Sequence, residues 1–271
     1  MPWSLGVLFG LLVVLAATAS PLRIYGETVP DETIPGTRAF LPFISDTVSA
    51  EPAPVYAAIP IAGPPVDRPA EINGDLNLAL RSYITSTAPA ELININGPTD
   101  GDPPQLVGLF NTTRMPDFVA AYRVHDWDWA CGPDGCRGAP IDNPPATLLE
   151  LAATAGEPVY IPTRNAEIYG GGFRAMVLYA APTRLTLTYT REDTPAVGYV
   201  VHLEDLAVEA ALVALYESLD AAGRGELPAL RHGERVGHVS GASLKVVIRD
   251  TGSFMDPRSR KDWWQGYLHG Q

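Results

Sequence analysis

From Gln105 onward, short apolar runs alternate with turns rich in Gly, Pro and Asp. The runs are QLVGLF, FVAAYRVHDWDW, EPVYIPTRN, RAMVLYA, RLTLTYTRED, GYVVHLEDL and SLKVVIRD. Segments of this length, enriched in β-branched and aromatic residues, read as β-strands. The alternation is cleanest in RLTLTYTR. There Leu185, Leu187 and Tyr189 interleave with Thr186, Thr188 and Thr190, which predicts one buried face and one wet face. Two segments switch to helical spacing. Asp75 stands as an N-cap before LNLALRSYI, and Val208, Ala211, Leu212, Leu215 and Leu219 fall on one stripe that stops at Gly223. The pattern therefore predicts one mainly β domain over residues 76–271, with one or two short helices.

Upstream of that domain the chain changes character twice. Residues Leu5 to Ala19 form an apolar run that closes on Ala17-Thr18-Ala19. Its length and its small-residue ending fit a signal peptide over residues 1–19, with an uncleaved N-terminal anchor as the alternative. Membrane contact is then expected only through this segment. Residues 20–75 carry recurrent prolines, and eight acidic residues face three arginines. Proline removes backbone donors and disfavours helix before it, so an extended acidic spacer is expected. Short apolar pieces within it, AFLPFI and YAAIPI, could lie on the domain as clamped strands.

Composition narrows the function classes. The formal net charge is −12, which repels phosphate backbones and argues against nucleic acid as a partner. No P-loop, nucleophile elbow or dinucleotide fingerprint occurs, and YGGGF at Tyr169–Phe173 opens no helix. Asn111-Thr112-Thr113 satisfies the glycosylation pattern.

Some chemistry-bearing residues cluster in the sequence. Cys131 and Cys136 bracket Gly-Pro-Asp-Gly, and in an exported chain such a close pair is expected to form a disulfide. The rival reading joins the thiols to His125, Asp126 and Asp128 as a metal site. Trp127, Trp129, Trp263 and Trp264 are either core residues or stacking surfaces for sugars or peptides. The segment RDTGSFMDPRSRKDWW mixes charges of both signs, which suggests a solvated surface; Arg258, Arg260 and Lys261 are its candidate contacts for an anionic ligand or partner.

The order LELAATAGEPVYIP, EIYGGG, YVVHLE, HGERVGHVSG, SLKVVIRD and FMDP, over about residues 148–257, resembles the LytM-type zinc endopeptidases that cut peptidoglycan cross-bridges. The resemblance implies a β-sandwich or barrel-sandwich-hybrid fold. It also implies that the zinc-ligand positions are lost. The first ligand histidine falls on Ala146, the aspartate on Glu150, and the final histidine pair on Ser243 and Lys245. Only His202, which in the family stabilises the oxyanion, matches. An ammonium at position 245 repels a divalent cation, so Lys245 is expected to replace the metal's charge by pairing with Glu150. The expectation is a non-catalytic exported module, extracellular, periplasmic or at the cell surface, without a cofactor. Its partner would be cell-wall glycan, wall peptide or a surface protein. The alternative is a hydrolase, either with a metal rebuilt around His125, Asp128 and His202, or metal-free with Glu150 and His202 as acid and base.

Overall fold

Extended segments dominate the computed structural model, which describes residues 54–112 and 114–267. The signal segment, AFLPFI and the rest of the chain before residue 54 lie outside the described residues, as does Thr113 of the glycosylation pattern. The early strands are β1 (Ala57–Pro60), β2 (Tyr83–Thr85), β3 (Phe118–Asp128), β4 (Cys136–Pro140), β5 (Leu148–Ala152), β6 (Pro158–Tyr160) and β7 (Phe173–Ala181). Then come β8 (Arg184–Thr188), β9 (Tyr199–Glu204), β10 (Leu206–Val208), β11 (Glu226–Arg231), β12 (Arg235–Val239), β13 (Ser243–Asp250) and β14 (Ser253–Phe254). Helices are α1 (Leu78–Arg81), α2 (Ala210–Ala221) and α3 (Arg260–Trp263). None of them is long and apolar enough to cross a membrane.

The main sheet is eleven-stranded and antiparallel, in the order β1-β11-β7-β8-β9-β13-β5-β3-β2, with β14 on β13 and β4 on β3. A second sheet runs β10-β12-β6. Strand parity separates the two faces of the main sheet. On one side Leu149, Leu151, Leu203 and Val246 join Val159, Val236 and Val239 of the small sheet in the principal core. On the other, here called the back face, Leu148, Val247 and Val124 cluster with Leu78. Both sides are therefore covered, and all six residues of β9 are buried.

Several expectations need correction. Thr186 and Thr188, read as a wet face, are buried, because the back face carries α2 and residues 70–82. YAAIPI does lie on the domain: β1 pairs with β11 and buries Ile59. The folded unit thus begins well before Asp75, and the last part of the expected spacer belongs to it. Asp75 is not an N-cap; α1 starts after Asn77, and the Asp75 carboxylate instead pairs with Arg81 and Arg249. QLVGLF folds as a 3-10 turn over Leu106–Leu109 rather than a strand. Gly108 explains the choice: a Cβ there would sit 2.4 Å from the Thr163 side chain, so the turn presses its backbone directly against the neighbouring segment.

α2 ends as predicted, with Gly223 at φ 96°. Its buried stripe is shifted, however. Leu212, Val213 and Tyr216 face inward, while Ala211 is exposed and Val208 belongs to β10. Tyr216 meets Tyr179 edge to face, with 5.9 Å between ring centres.

Candidate functional site

Antiparallel register draws one line of charged side chains across the back face. Arg184 stands opposite Glu204, Glu204 opposite Lys245, and Lys245 opposite Glu150. Directly opposed residues on neighbouring strands share a face, so the row alternates in sign across β8, β9, β13 and β5. Ser243 and His202 fall on the same face by strand parity, while Ala146, buried, precedes β5 and belongs to no strand. Of the positions that the resemblance singled out, Glu150, Ser243, Lys245 and His202 therefore share one side of one sheet.

Their bonding departs from the expectation at one point. Lys245 does not close an ion pair with Glu150; its ammonium pairs with Asp205, in the left-handed turn (φ 65°) between β9 and β10. The reason is reach. Asp205 stands off the sheet at the end of the neighbouring strand, where a long lysine side chain extends, whereas Glu150 is already held from two other sides. Ser243 Oγ donates to Glu150 Oε1 at 2.6 Å, and the Tyr122 hydroxyl donates to Oε2. Burial opposes ionisation of Glu150, but these two bonds and the nearby ammonium keep its carboxyl below the ordinary range. The same bond pushes the Tyr122 phenol up to about 12. Burial alone would lower Lys245; Asp205 and Tyr83 hold its proton more strongly, and it stands above the usual lysine range. At the other end of the row burial raises Glu204, which faces Arg184 at 3.7 Å, beyond hydrogen-bond distance.

His202 sits one step along the same face, between Thr186 and Val247, and is 1% exposed. Thr186 Oγ1 donates to the Leu76 carbonyl at 2.7 Å, so its oxygen accepts from the imidazole Nδ1–H at 2.9 Å. That fixes the tautomer and leaves Nε2 as an unprotonated nitrogen with no hydrogen-bond partner. Burial, reinforced by Arg249 and Arg81, holds the ring neutral, well below the usual imidazole range. A measurable consequence follows from linkage. The unfolded ring titrates near 6.5, so below that pH only the unfolded chain takes up the proton, and stability falls as pH drops. We expect this ring alone to remove stability progressively below about pH 6.5, at a rate approaching about 1.4 kcal/mol per pH unit. Urea midpoints at pH 7 and pH 5 should therefore differ less in His202→Leu than in the unaltered chain; equal differences would assign the pH dependence to other groups.

No family model matches the chain, and no curated protein or solved structure does either. The site therefore has to be read from its own geometry. His125, Asp128 and His202 do not converge, and among the described residues no three His, Cys, Asp or Glu side chains are placed to hold a metal ion. Asp128 is exposed near the tip of the β3–β4 hairpin and accepts from the Ala130 amide, while His202 lies in the middle of the sheet. The metal centre imagined around them, with or without the thiols, is not assembled. Cys131 and Cys136 are bonded to each other, with Cα atoms 5.5 Å apart.

The tryptophans and basic residues divide sharply. Trp263 and Trp264 are buried, donating to the Asp256 and Pro257 carbonyls at 2.8 and 2.9 Å. Arg258 is also buried, forked onto both oxygens of Asp256 and bonded to the Pro89 carbonyl. Lys261 donates to the Gly97 and Pro98 carbonyls, and Arg260 is half-buried at the start of α3. The segment expected to be a solvated contact surface is thus mostly an internal brace. Trp127 fills a slot whose walls are Gly74 and Gly135; a Cβ on either would meet its ring within 2.4 Å. Trp129 is the exposed one, 37% accessible, stacked edge-on against Trp127 and covered on one side by Arg68 at 4.8 Å.

Sequence reasoning found Glu150, Ser243, Lys245 and His202 but missed Arg184, Glu204, Asp205 and Tyr122. Parity offered one usable signal: Glu204 follows His202 by two residues on a strand and must share its face.

Proposed function

We propose that this chain is a non-catalytic, exported binding or structural module built on a degenerate LytM-like scaffold. The observation that carries the reading is the fixed ammonium of Lys245 among Glu150, Glu204 and Asp205 on the back face. A group of permanent positive charge there neutralises the carboxylates that would otherwise attract a cation. Glu150 is committed to two donors, and His202 is sealed from solvent, so neither can serve as acid or base toward an external substrate without the sheet opening. The disulfide supports an oxidising compartment and hence export. The exposed Trp129, on a hairpin pinned by that disulfide, is the surface best suited to contact wall glycan, wall peptide or a protein partner.

The test is zinc content and peptide turnover of the purified chain, made with zinc present and without a chelating tag. We expect well under one zinc per chain and no hydrolysis of wall cross-bridge peptides. Stoichiometric zinc, or turnover abolished by His202→Ala with the fold intact, would overturn the reading.

A further inference from the structure

At the opposite end of β13 from Lys245, the cluster of Asp75, Arg81 and Arg249 takes no part in the charged row. Arg81 and Arg249 are 3% and 5% exposed, and both guanidiniums bind one carboxylate oxygen, Asp75 Oδ1. Both also stack on Phe254, with 5.1 and 4.8 Å from guanidinium carbon to ring centre. The two nearly buried cations share one partly buried carboxylate, and the second carboxylate nearby, Asp126, is exposed and screened by solvent. Each arginine also retains unused donors. Arg81 engages the Gly74 and His125 carbonyls and Asp75, which leaves one N–H on each terminal nitrogen. Arg249 engages the Gly252 carbonyl twice and Asp75 through Nη1, which leaves one N–H on Nη2.

These side chains form the floor of a cleft of about 260 Å³, whose other walls include Asn143, Ser253 and Asp126. Asp126 is 74% exposed and stands 3.7 Å from Arg81, so its carboxylate hovers over the arginines without a hydrogen bond to them. An exposed ion at that distance is worth at most several-fold in affinity. It does show which chemistry the cleft attracts. We propose that this cleft binds a carboxylate ligand of about one residue in size, with Arg81 and Arg249 as the anion receptor, Asn143 and Ser253 as neutral hydrogen-bonding walls, and Asp126 as a weak internal competitor. The planar forks of two arginines suit a carboxylate, and the small volume excludes an extended chain beyond its terminal residue. The inference is independent of the proposed function, since it uses none of the residues of the charged row.

The experiment is an NMR titration of the purified chain with acetyl-Ala-Ala, its C-terminal amide, and sodium acetate. Shifts should map to the cleft and saturate in the millimolar range for the free acid but not for the amide. Acetate as strong as the peptide acid would mean that a free small carboxylate is the ligand, whereas a clear preference for the peptide would mark a chain terminus. Ser253→Asp adds a negative charge at the mouth without touching a native arginine bond and should weaken binding about tenfold or more. Asp126→Asn keeps the oxygen that accepts the Trp127 amide, removes the competitor, and should tighten binding several-fold. Both substitutions fall on exposed side chains, where a change is expected to leave the fold intact. Equal binding of acid and amide, or affinities that neither variant moves, would overturn the proposal.

Discussion

Replacing Trp264 with alanine will destabilise the fold by about 3–5 kcal/mol, the range for deleting a fully buried aromatic side chain. The ring is 0% exposed, packs against Phe118 at 5.2 Å between centres, and anchors its indole N–H on the Pro257 carbonyl. Alanine removes the area burial, opens a cavity and leaves that carbonyl without its donor. Urea unfolding followed by fluorescence and by circular dichroism should show the loss as a shifted midpoint at nearly constant slope. Trp129→Ala is the control. Its ring is partly exposed and stacked mainly on Arg68, so the change should stay within about 1 kcal/mol. Were the two variants equally mild, the C-terminal segment would be a surface after all.

Arg224→Met is expected to be as damaging, for an electrostatic reason. The guanidinium grips both oxygens of Asp193 at 2.8 and 2.7 Å, and the aspartate side chain is 0% exposed. It also donates to the Tyr216 hydroxyl and the Leu178 carbonyl and pairs with Asp220. One side chain therefore ties the end of α2 to β7 and to the loop after β8. Asp193 in turn accepts the Val66 amide, which attaches the segment that follows β1. Removing only the cation leaves a buried carboxylate uncompensated, at about 3–5 kcal/mol. Arg224→Lys should recover little, because a single ammonium cannot reproduce the two-pronged grip. The double variant Arg224→Met, Asp193→Asn should be markedly less damaged than Arg224→Met alone. If the losses simply add, the pair is not the source of the effect.

How far the sequence disclosed this depends on which physical signal each residue left. The strands β3, β6, β7, β8, β9 and β13 were legible because β-branched and aromatic runs between turn residues are a local property, whereas β4, β5, β11, β12 and β14 carry no such run and were not read as strands. The two-sided burial of β8 was not legible. Thr186 and Thr188 look solvated in an alternating strand but are interior, Thr186 bonding to the carbonyl of Leu76, a residue distant in sequence. Arg258 misled for a related reason: its partner Asp256 is two residues away, and a loop folding back on itself leaves no periodic trace. At the charged row an ion pair of Lys245 with Glu150 was expected; the register sets the two opposite each other, but the ammonium pairs with Asp205. The partner of Lys245 was missed because Asp205 belongs to a turn with a left-handed backbone, outside any strand pattern.

The two ends of the main sheet, β1 and β2, both come from residues 57–85, the first part of the described chain. Both are short, and β1 finishes on a proline, so neither offers a long edge on which another molecule could template. The arrangement also sets an order of events. β1 can join the sheet only after β11 has been made, about 170 residues further on, whereas β2 needs only β3, so the two ends of the sheet are fastened far apart in the course of synthesis (Ala57 opposite Ala229, Tyr83 opposite Val124).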